Sequence, residues 1–375
     1  MTGKTVSSVQ SASAAMDQRQ KAFVCDQCAL NAFAMYAQII IGFALYLYDH
    51  VSTPGWISLL LTIPYLFIMI WLGIHLQGHS RTGENPIVSM LGKGLSAVFY
   101  FIFSFMFFID ALLAFYALCA IMRDVMPDHS AWTGSVFIAV ICFLSIKDNQ
   151  ANVLPCLGRF LKWLVGGLLL YCFAIALPYG KTAHFFPLLG YGTGSIFQGA
   201  LWMCGALSTA AAPLLLANSN EKKTILDKNA IVIRPFFLAF LLALLTYWIS
   251  VWLLPVYAMA RPEAFGWRLL LVTHMTPSVP AWSMEVISLI LLFLLSLCHS
   301  VSQASRFFSL CMKKEKEPRF LAAFFLAFMI PIGALRLPEI HQFFLSVAPW
   351  RGGIALCLLL LLWFASILHK KEAEQ

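Results

Sequence analysis

Apolar runs of about twenty residues recur along the whole chain, and they constrain its fold more than any other feature. A helix of about 20 apolar residues crosses the hydrocarbon core of a bilayer, which is about 30 Å thick. The composition agrees, because 61% of the residues are hydrophobic and only 11% are charged, against about 25% charged residues in soluble domains. The sequence therefore predicts an all-α polytopic membrane protein.

Ten of these runs are candidate transmembrane helices, named spans 1 to 10 in chain order. Span 4 is short and span 9 contains Pro331 and Gly333, so nine and eleven spans are the alternatives. The predicted ranges are 29–48, 54–77, 95–122, 131–146, 157–178, 193–217, 235–258, 282–305, 320–337 and 352–368.

The distribution of basic residues favours ten spans with both termini in the cytoplasm. With this layout, nineteen of the 25 lysine and arginine residues fall in cytoplasmic segments, as the positive-inside rule requires. The remaining six, which fall outside, are Arg123, Lys181, Arg261, Arg268, Arg336 and Arg351. Because topology accounts for the net charge of +8, no nucleic-acid partner is predicted.

The chain is predicted to form one transmembrane domain over residues 21–369. Residues 1–20 are polar and lack the apolar core of a signal peptide, so they are expected to be a disordered cytoplasmic tail. Residues 370–375 are expected to be a second cytoplasmic tail. The cysteines lie mostly inside apolar runs, where a thiol behaves as a small hydrophobe, and no disulfide framework is predicted.

Small residues in the middle of span 6 indicate a broken helix. The segment "GALSTAAAP" carries Gly205, Ser208 and Thr209 and ends at Pro213. An interrupted helix near the bilayer midplane exposes backbone groups that can hold a ligand. Gly205, Ala206, Leu207, Ser208 and Thr209 are therefore predicted to bind ligand. The alternative, a small-residue face for close helix packing, has equal support at this point. The preceding "GYGTG" lacks the strand and the Gly-Lys-Ser/Thr of a phosphate loop.

Polar residues in three other spans are the remaining candidates. Asn31 and Gln38 lie two helical turns apart on one face of span 1, which favours a cavity wall over simple hydrogen bonding between helices. Asp110 lies within "FFIDALLAFY" of span 3 with no cation nearby in the sequence, and His299 lies in the polar stripe "CHSVSQASR" of span 8. Intramembrane ionisable residues are usually functional, so Asp110 and His299 are predicted to couple an ion or a proton. Burial in a structural role is the alternative for both.

No metal, cofactor or enzymatic site is predicted. Cys25 and Cys28 form a CxxC and His75 and His79 are four residues apart, but neither pair has the further ligands that a zinc site needs. The chain also lacks a nucleophile motif such as GxSxG.

Several stretches resemble the B-subunit family of spore germination receptors. They are "MDQRQKAFV" before span 1, "LGKGLSAVFYFIFSFMFF" in span 3, and "HFFPLLGYGTGSIFQGALWMCGAL" with the later "NEKK" around span 6. The resemblance implies the fold of the amino acid–polyamine–organocation transporter superfamily. That fold consists of two inverted five-helix repeats, the leucine-transporter type, with spans 1 and 6 discontinuous around a central site. This chain departs from the family in two places. Gly205 is not followed by an acidic residue, and span 1 has no glycine at the expected break.

The resemblance also implies a function. The chain is expected to bind a small amino-acid-like germinant and to signal to A-type and C-type subunits in the cell membrane or the spore inner membrane. A permease that moves an amino acid by proton coupling through Asp110 or His299 is the alternative. A channel opened by a partner is a third, remote hypothesis.

Overall fold

A computed structural model describes residues 24–78, 86–125, 131–147, 167, 181–186, 190–216, 229–253, 279–312, 318–334 and 338–374. Within these ranges the regular structure is helical, without strands. Nine of the ten predicted spans are described. The helices that form them are Val24–Val51 (span 1), Gly55–Leu61 and Ile63–Gly78 (span 2), Pro86–Val125 (span 3), Ala131–Lys147 (span 4), Thr193–Ala206 and Ala212–Leu216 (span 6), Asn229–Leu253 (span 7), Val279–Cys311 (span 8), Pro318–Ala334 (span 9) and Pro338–Glu374 (span 10). The predicted span 5 lies outside the described residues, apart from Gly167.

Hydropathy and length explain why these segments are membrane helices. Among the described residues, six helices are long and apolar enough to cross a bilayer. Spans 4 and 9 are shorter apolar helices, and span 6 is divided into two pieces. The protein is therefore an integral, multi-pass membrane protein.

Span 1 forms the centre of the bundle. Every residue in the most apolar 18-residue window of span 1 is buried inside the protein. In spans 3 and 8, 72% of the corresponding window is buried. Spans 3 and 8 pack extensively against each other. Ser104 Oγ donates a hydrogen bond of 2.8 Å to the carbonyl of Ala304, and the ring of Phe307 stacks on Phe103 and Phe107.

The outer helices present large apolar side chains on their outward faces. Spans 2, 7 and 10 are between 33% and 50% buried over the same kind of window. Their exposed residues include Phe67, Trp71, Phe237, Trp248, Leu361 and Phe364. In a soluble protein such a surface would promote association. Here it is the face that contacts lipid.

Span 6 is broken, as the sequence predicts. Its first helix ends at Ala206, a turn follows, and a 3₁₀ segment covers Ala212–Leu216. The bonds in the turn run from residue i+3 to residue i, including Ser208 N–H to Gly205 O at 3.2 Å and Ala212 N–H to Thr209 O at 3.2 Å. The side-chain amide of the buried Gln77 in span 2 donates to the carbonyl of Leu214. A side chain of span 2 thus binds a backbone group of the segment that follows the break.

Span 1 differs from the expected discontinuity. It remains helical from Val24 to Val51, and the irregularity is a change from α-helix to π-helix at Phe43. No glycine or proline occurs in span 1 before Gly42, so nothing in that half weakens the helix. The π segment ends at Ser52, whose φ is 71°. Tyr247 of span 7 donates a hydrogen bond of 2.6 Å to the Ser52 carbonyl.

Span 10 is longer than predicted, and this changes the position of Arg351. The helix begins at Pro338, so Arg351 lies inside it and not in an outside loop. The placement of Arg351 among the outside loop charges was therefore wrong. Of the other five residues, Arg123 lies in the last turn of the span 3 helix, and Arg261, Arg268 and Arg336 lie outside the described residues. The orientation of the termini stays a prediction. The helix also continues to Glu374, through most of the segment predicted as a C-terminal tail.

Candidate ligand-binding site

The predicted polar residues of four spans meet at one small cavity. Asn31 and Gln38 come from span 1, Asp110 from span 3, Thr209 from the break in span 6, and His299 from span 8. The rest of the lining consists of Ala34, Met35, Phe107, Ala210, Pro213 and Ser300. Five of the nine predicted site residues are therefore brought together by the fold, although they are far apart in the sequence.

The cavity is small in this structure. The space open to the centre of a water-sized sphere is about 10 Å³, roughly the room for one water molecule. An amino acid needs more space than this. Binding of such a ligand at this position therefore requires the surrounding helices to move apart.

Asp110 is held by partners on both carboxylate oxygens. Arg351 of span 10 forms an ion pair with Oδ1, and Thr209 Oγ1 donates a hydrogen bond of 2.6 Å to Oδ2. The two ionic side chains are almost inaccessible, with 2% of Asp110 and 3% of Arg351 exposed. Arg351 Nη2 also donates to the carbonyl of Met106 at 3.3 Å. The ion pair therefore ties spans 3 and 10 together next to the break in span 6.

Arg351 is the important residue that sequence reasoning missed. The premise that Asp110 has no neighbouring cation was wrong, because a buried guanidinium contacts it. The signal was present in "HQFFLSVAPWRGGIALCLLLLLWF", where apolar residues flank the arginine on both sides. Intramembrane arginines are rare and usually paired, so an arginine inside an apolar run predicts an acidic partner on another helix. The coupling role of Asp110 stays a prediction.

The two amides of span 1 have different surroundings. Gln38 Nε2 donates to the backbone carbonyl of Asp110 at 2.9 Å and lies 3.4 Å from Ser296 Oγ, so it joins spans 1, 3 and 8. Asn31 is only 5% exposed, yet its Oδ1 has no hydrogen-bond partner among the residues that the structure describes. A buried acceptor without a partner costs about 1–3 kcal/mol. Asn31 therefore presents an acceptor to the cavity that a ligand could satisfy.

His299 contributes to the same wall. It is buried, lines the cavity, and meets the edge of the Phe107 ring at a centroid distance of 6.3 Å. Its neighbour Ser300 is also buried and lines the cavity. Gln303, one turn further along, is buried but is not part of the lining, and its Oε1 has no partner.

The small residues of span 6 divide between two roles. Thr209 lines the cavity, whereas Gly205 faces span 10, where a Cβ atom would lie 1.9 Å from the carbonyl oxygen of Ala348. The contact is reciprocal, because a Cβ on Gly352 would lie 3.0 Å from the backbone nitrogen of Gly205. This geometry favours the packing interpretation for Gly205. Ala206, Leu207 and Ser208 are buried beside the break without lining the cavity, and Ser208 Oγ has no partner.

The possible metal-binding pairs have ordinary surroundings. Among the described residues, no three His, Cys, Asp or Glu side chains come together in a way that could hold a metal ion. Cys25 and Cys28 lie at the start of span 1 and are not joined by a disulfide. The ring of His75 stacks on Trp71, and His79 lies outside the described residues.

The fold is that of known membrane transporters. No family model and no curated protein sequence matches the chain. Among solved structures, a variant of the manganese transporter of Eremococcus coleocola is similar, with a TM-score of 0.57 and 13% identity over 93% of this chain and 77% of that one. A Na⁺-coupled sialic acid symporter in a substrate-bound, outward-open state is also similar, with a TM-score of 0.52 and 14% identity over 90% of this chain and 78% of that one. The leucine-transporter-type fold predicted from the sequence is thereby confirmed.

Proposed function

We propose that the chain binds a small amino-acid-like molecule between spans 1, 3, 6 and 8 and signals to partner subunits, as a B-type subunit of a spore germination receptor. One observation supports the binding role above all others. Five polar residues of four spans converge on a cavity at the break in span 6, and the Asn31 acceptor there has no partner. The resemblance around spans 1, 3 and 6 supports the receptor role and the A-type and C-type partners.

The side chains around the cavity favour an organic ligand with no net charge. Asn31, Thr209 and Ser300 offer neutral hydrogen-bonding groups, and the charge of Asp110 is balanced by Arg351. A net charge in this buried environment would need a counter-charge of its own. An amino-acid zwitterion carries both charges and fits this requirement. The described residues contain no cluster of metal ligands, which favours this ligand class over a metal ion.

A transporter is the second candidate, and the solved neighbours favour it. The manganese transporter and the sialic acid symporter share the fold over 90% or more of this chain. In such a fold, one bundle of helices rocks against the other around a fixed central site, which would open this small cavity to one side of the membrane at a time. The permease would use the same residues as the receptor.

Ligand binding can be tested with the purified full-length chain in lipid nanodiscs. We expect at least one compound in a panel of the twenty common amino acids to raise the apparent Tm, because a ligand that binds only the folded state stabilises it. Asn31→Leu should abolish this rise, since it removes the free acceptor from the cavity.

Gln303→Leu is the matched control. Gln303 is 4% exposed and also has an amide oxygen without a partner, but it does not line the cavity. This variant should keep the ligand-induced rise. If the two variants lose the response equally, or if Asn31→Leu keeps it, the cavity is not the ligand site.

Transport and sensing are separated by an uptake measurement. A receptor subunit should bind the compound found above without accumulating it in proteoliposomes, and it should co-purify with A-type and C-type subunits when they are co-expressed. Uptake of the labelled compound by the purified chain alone, lost in Asn31→Leu, would establish the permease instead.

A further inference from the structure

One nitrogen of the Arg351 guanidinium contacts two oxygen atoms of span 3. Its Nη2 contacts Asp110 Oδ1 and the backbone carbonyl of Met106, and Thr209 Oγ1 is bonded to the other carboxylate oxygen. Carboxylate, backbone carbonyl and hydroxyl oxygens are the ligands that hard cations such as Na⁺ and Mn²⁺ prefer. A cationic group of the protein itself therefore lies where a dissociable cation would find its ligands.

The backbone around Arg351 holds this cation in place. The neighbouring Gly352 packs against Cys204 and Gly205 of span 6, and its carbonyl accepts a hydrogen bond of 3.0 Å from Tyr65 of span 2. A side chain at either glycine would push the helices apart. Span 10 is thereby held close to span 6, and the guanidinium reaches Asp110 from the helix that carries this contact.

We propose that Arg351 is the built-in cation of the central site, so that Asp110 is neutralised within the chain and the site needs no dissociable metal ion. Arg351 is thus a positioning residue that keeps Asp110 charged and bonded to Thr209 at the break in span 6. The inference rests on the proposed function, because that function makes the cavity a binding site. The test of Arg351 uses no organic ligand, so the role of Arg351 and the proposed function can fail independently.

Removal of the tethered cation should convert the site into one that responds to free cations. The apparent Tm of the full-length chain in nanodiscs is measured in choline chloride, in NaCl and in choline chloride with MnCl₂, all at one ionic strength. The wild type should give the same Tm in all three. Arg351→Met, which keeps an unbranched side chain without the charge and leaves space beside Asp110, should gain about 2 °C or more with Na⁺ or Mn²⁺.

Two further variants identify the source of that gain. Asp110→Asn combined with Arg351→Met removes both charges and should show no cation response. Arg351→Lys retains a tethered charge and should behave as the wild type does. If the wild type itself responds to either cation and the double variant does not, the proposal is overturned. A lack of response in folded Arg351→Met overturns it as well.

Chemical rescue provides a second measurement in case Arg351→Met folds poorly. Arg351→Ala leaves space beside Asp110, and millimolar methylguanidinium should raise its apparent Tm or its yield in the membrane. The same compound should leave the Asp110→Asn, Arg351→Ala double variant unchanged. Equal rescue of both variants, or rescue of neither, would show that Arg351 does not act as a cation for Asp110.

Discussion

At the scale of single residues, similar side chains have different roles because of what lies next to them. Asn31 and Gln38 are both buried amides of span 1, yet the Gln38 amide donates to two other spans while the Asn31 oxygen has no partner. Gly205 and Thr209 both belong to the small-residue segment of span 6. One allows the close approach of span 10, and the other binds Asp110.

Gly205→Ala should lower the stability of the protein. The added Cβ atom would collide with the backbone carbonyl of Ala348, which cannot move like a flexible side chain, and overpacking of this kind costs about 1–3 kcal/mol. The apparent Tm in detergent measures the effect. Gly353→Ala is the control, because a Cβ atom there meets nothing within 4 Å and alanine favours the helix by about 0.5–1 kcal/mol. Equal stability of the two variants would contradict the packing role of Gly205.

At the scale of the elements, the two irregular spans lose their regularity in different ways. Span 6 ends its α-helix at Ala206 and continues through a turn into a 3₁₀ segment, with Gln77 bonded to a carbonyl of that segment. Span 1 instead widens into a π-helix over Phe43–Val51 and ends abruptly at Ser52. Tyr48 and Tyr247 stack at a centroid distance of 5.4 Å at this end, so span 7 supports the irregular segment.

Ser52→Gly should stabilise the end of span 1. Ser52 has φ 71° and ψ −144°, a region almost confined to glycine that costs another residue about 1–3 kcal/mol. Glycine also costs conformational entropy on folding, so the free energy of unfolding is expected to rise by about 1 kcal/mol in total. The measurement is the apparent Tm, which should be higher in the variant. Ser58→Gly is the matched control, because Ser58 lies in a helix and donates to the Ile196 carbonyl at 2.8 Å. The control should lose stability, and a loss in both variants would show that Ser52 is not strained.

At the scale of the whole molecule, a fully buried first span is surrounded by helices that face lipid. This arrangement explains why the polar residues are tolerated. Asn31, Gln38, Asp110 and His299 all point to the protein interior, where hydrogen-bond partners or the cavity receive them. The outward faces carry the large exposed apolar side chains. Polar residues therefore lie on faces that contact other helices, and apolar residues lie on faces that contact lipid.

The predicted orientation can be tested with reporter fusions. Green fluorescent protein joined to the C-terminus should fluoresce, because it folds in the cytoplasm. Alkaline phosphatase inserted beside Lys181 should be active, because that segment is predicted to lie outside and its described residues are exposed or half-buried. The two reporters are also exchanged between the two positions. Fluorescence beside Lys181 together with phosphatase activity at the C-terminus would show that the orientation is opposite to the predicted one.

Much of the fold follows from the sequence because hydropathy acts over short distances. Apolar runs define the spans, the basic loops predict their direction, and the small residues before Pro213 predict the break in span 6. The limits of span 10 were less accurate, since Arg351 interrupts the apolar run by its charge although the helix continues through it. Hydropathy alone cannot distinguish a loop arginine from one that is paired inside the bundle.

The sequence by itself determined the membrane class, the nine described spans and the polar positions Asn31, Gln38, Asp110, Thr209 and His299. The tertiary structure decided which of these groups meet and what neutralises them. Asp110 and Arg351 are 241 residues apart, and Gly205 meets Ala348 of another helix that is also far away in the sequence. The physical reason is that lipid solvates every apolar helix face equally well, so helix pairing depends on side-chain shape and on matching polar partners. Those matches exist only once the helices are packed.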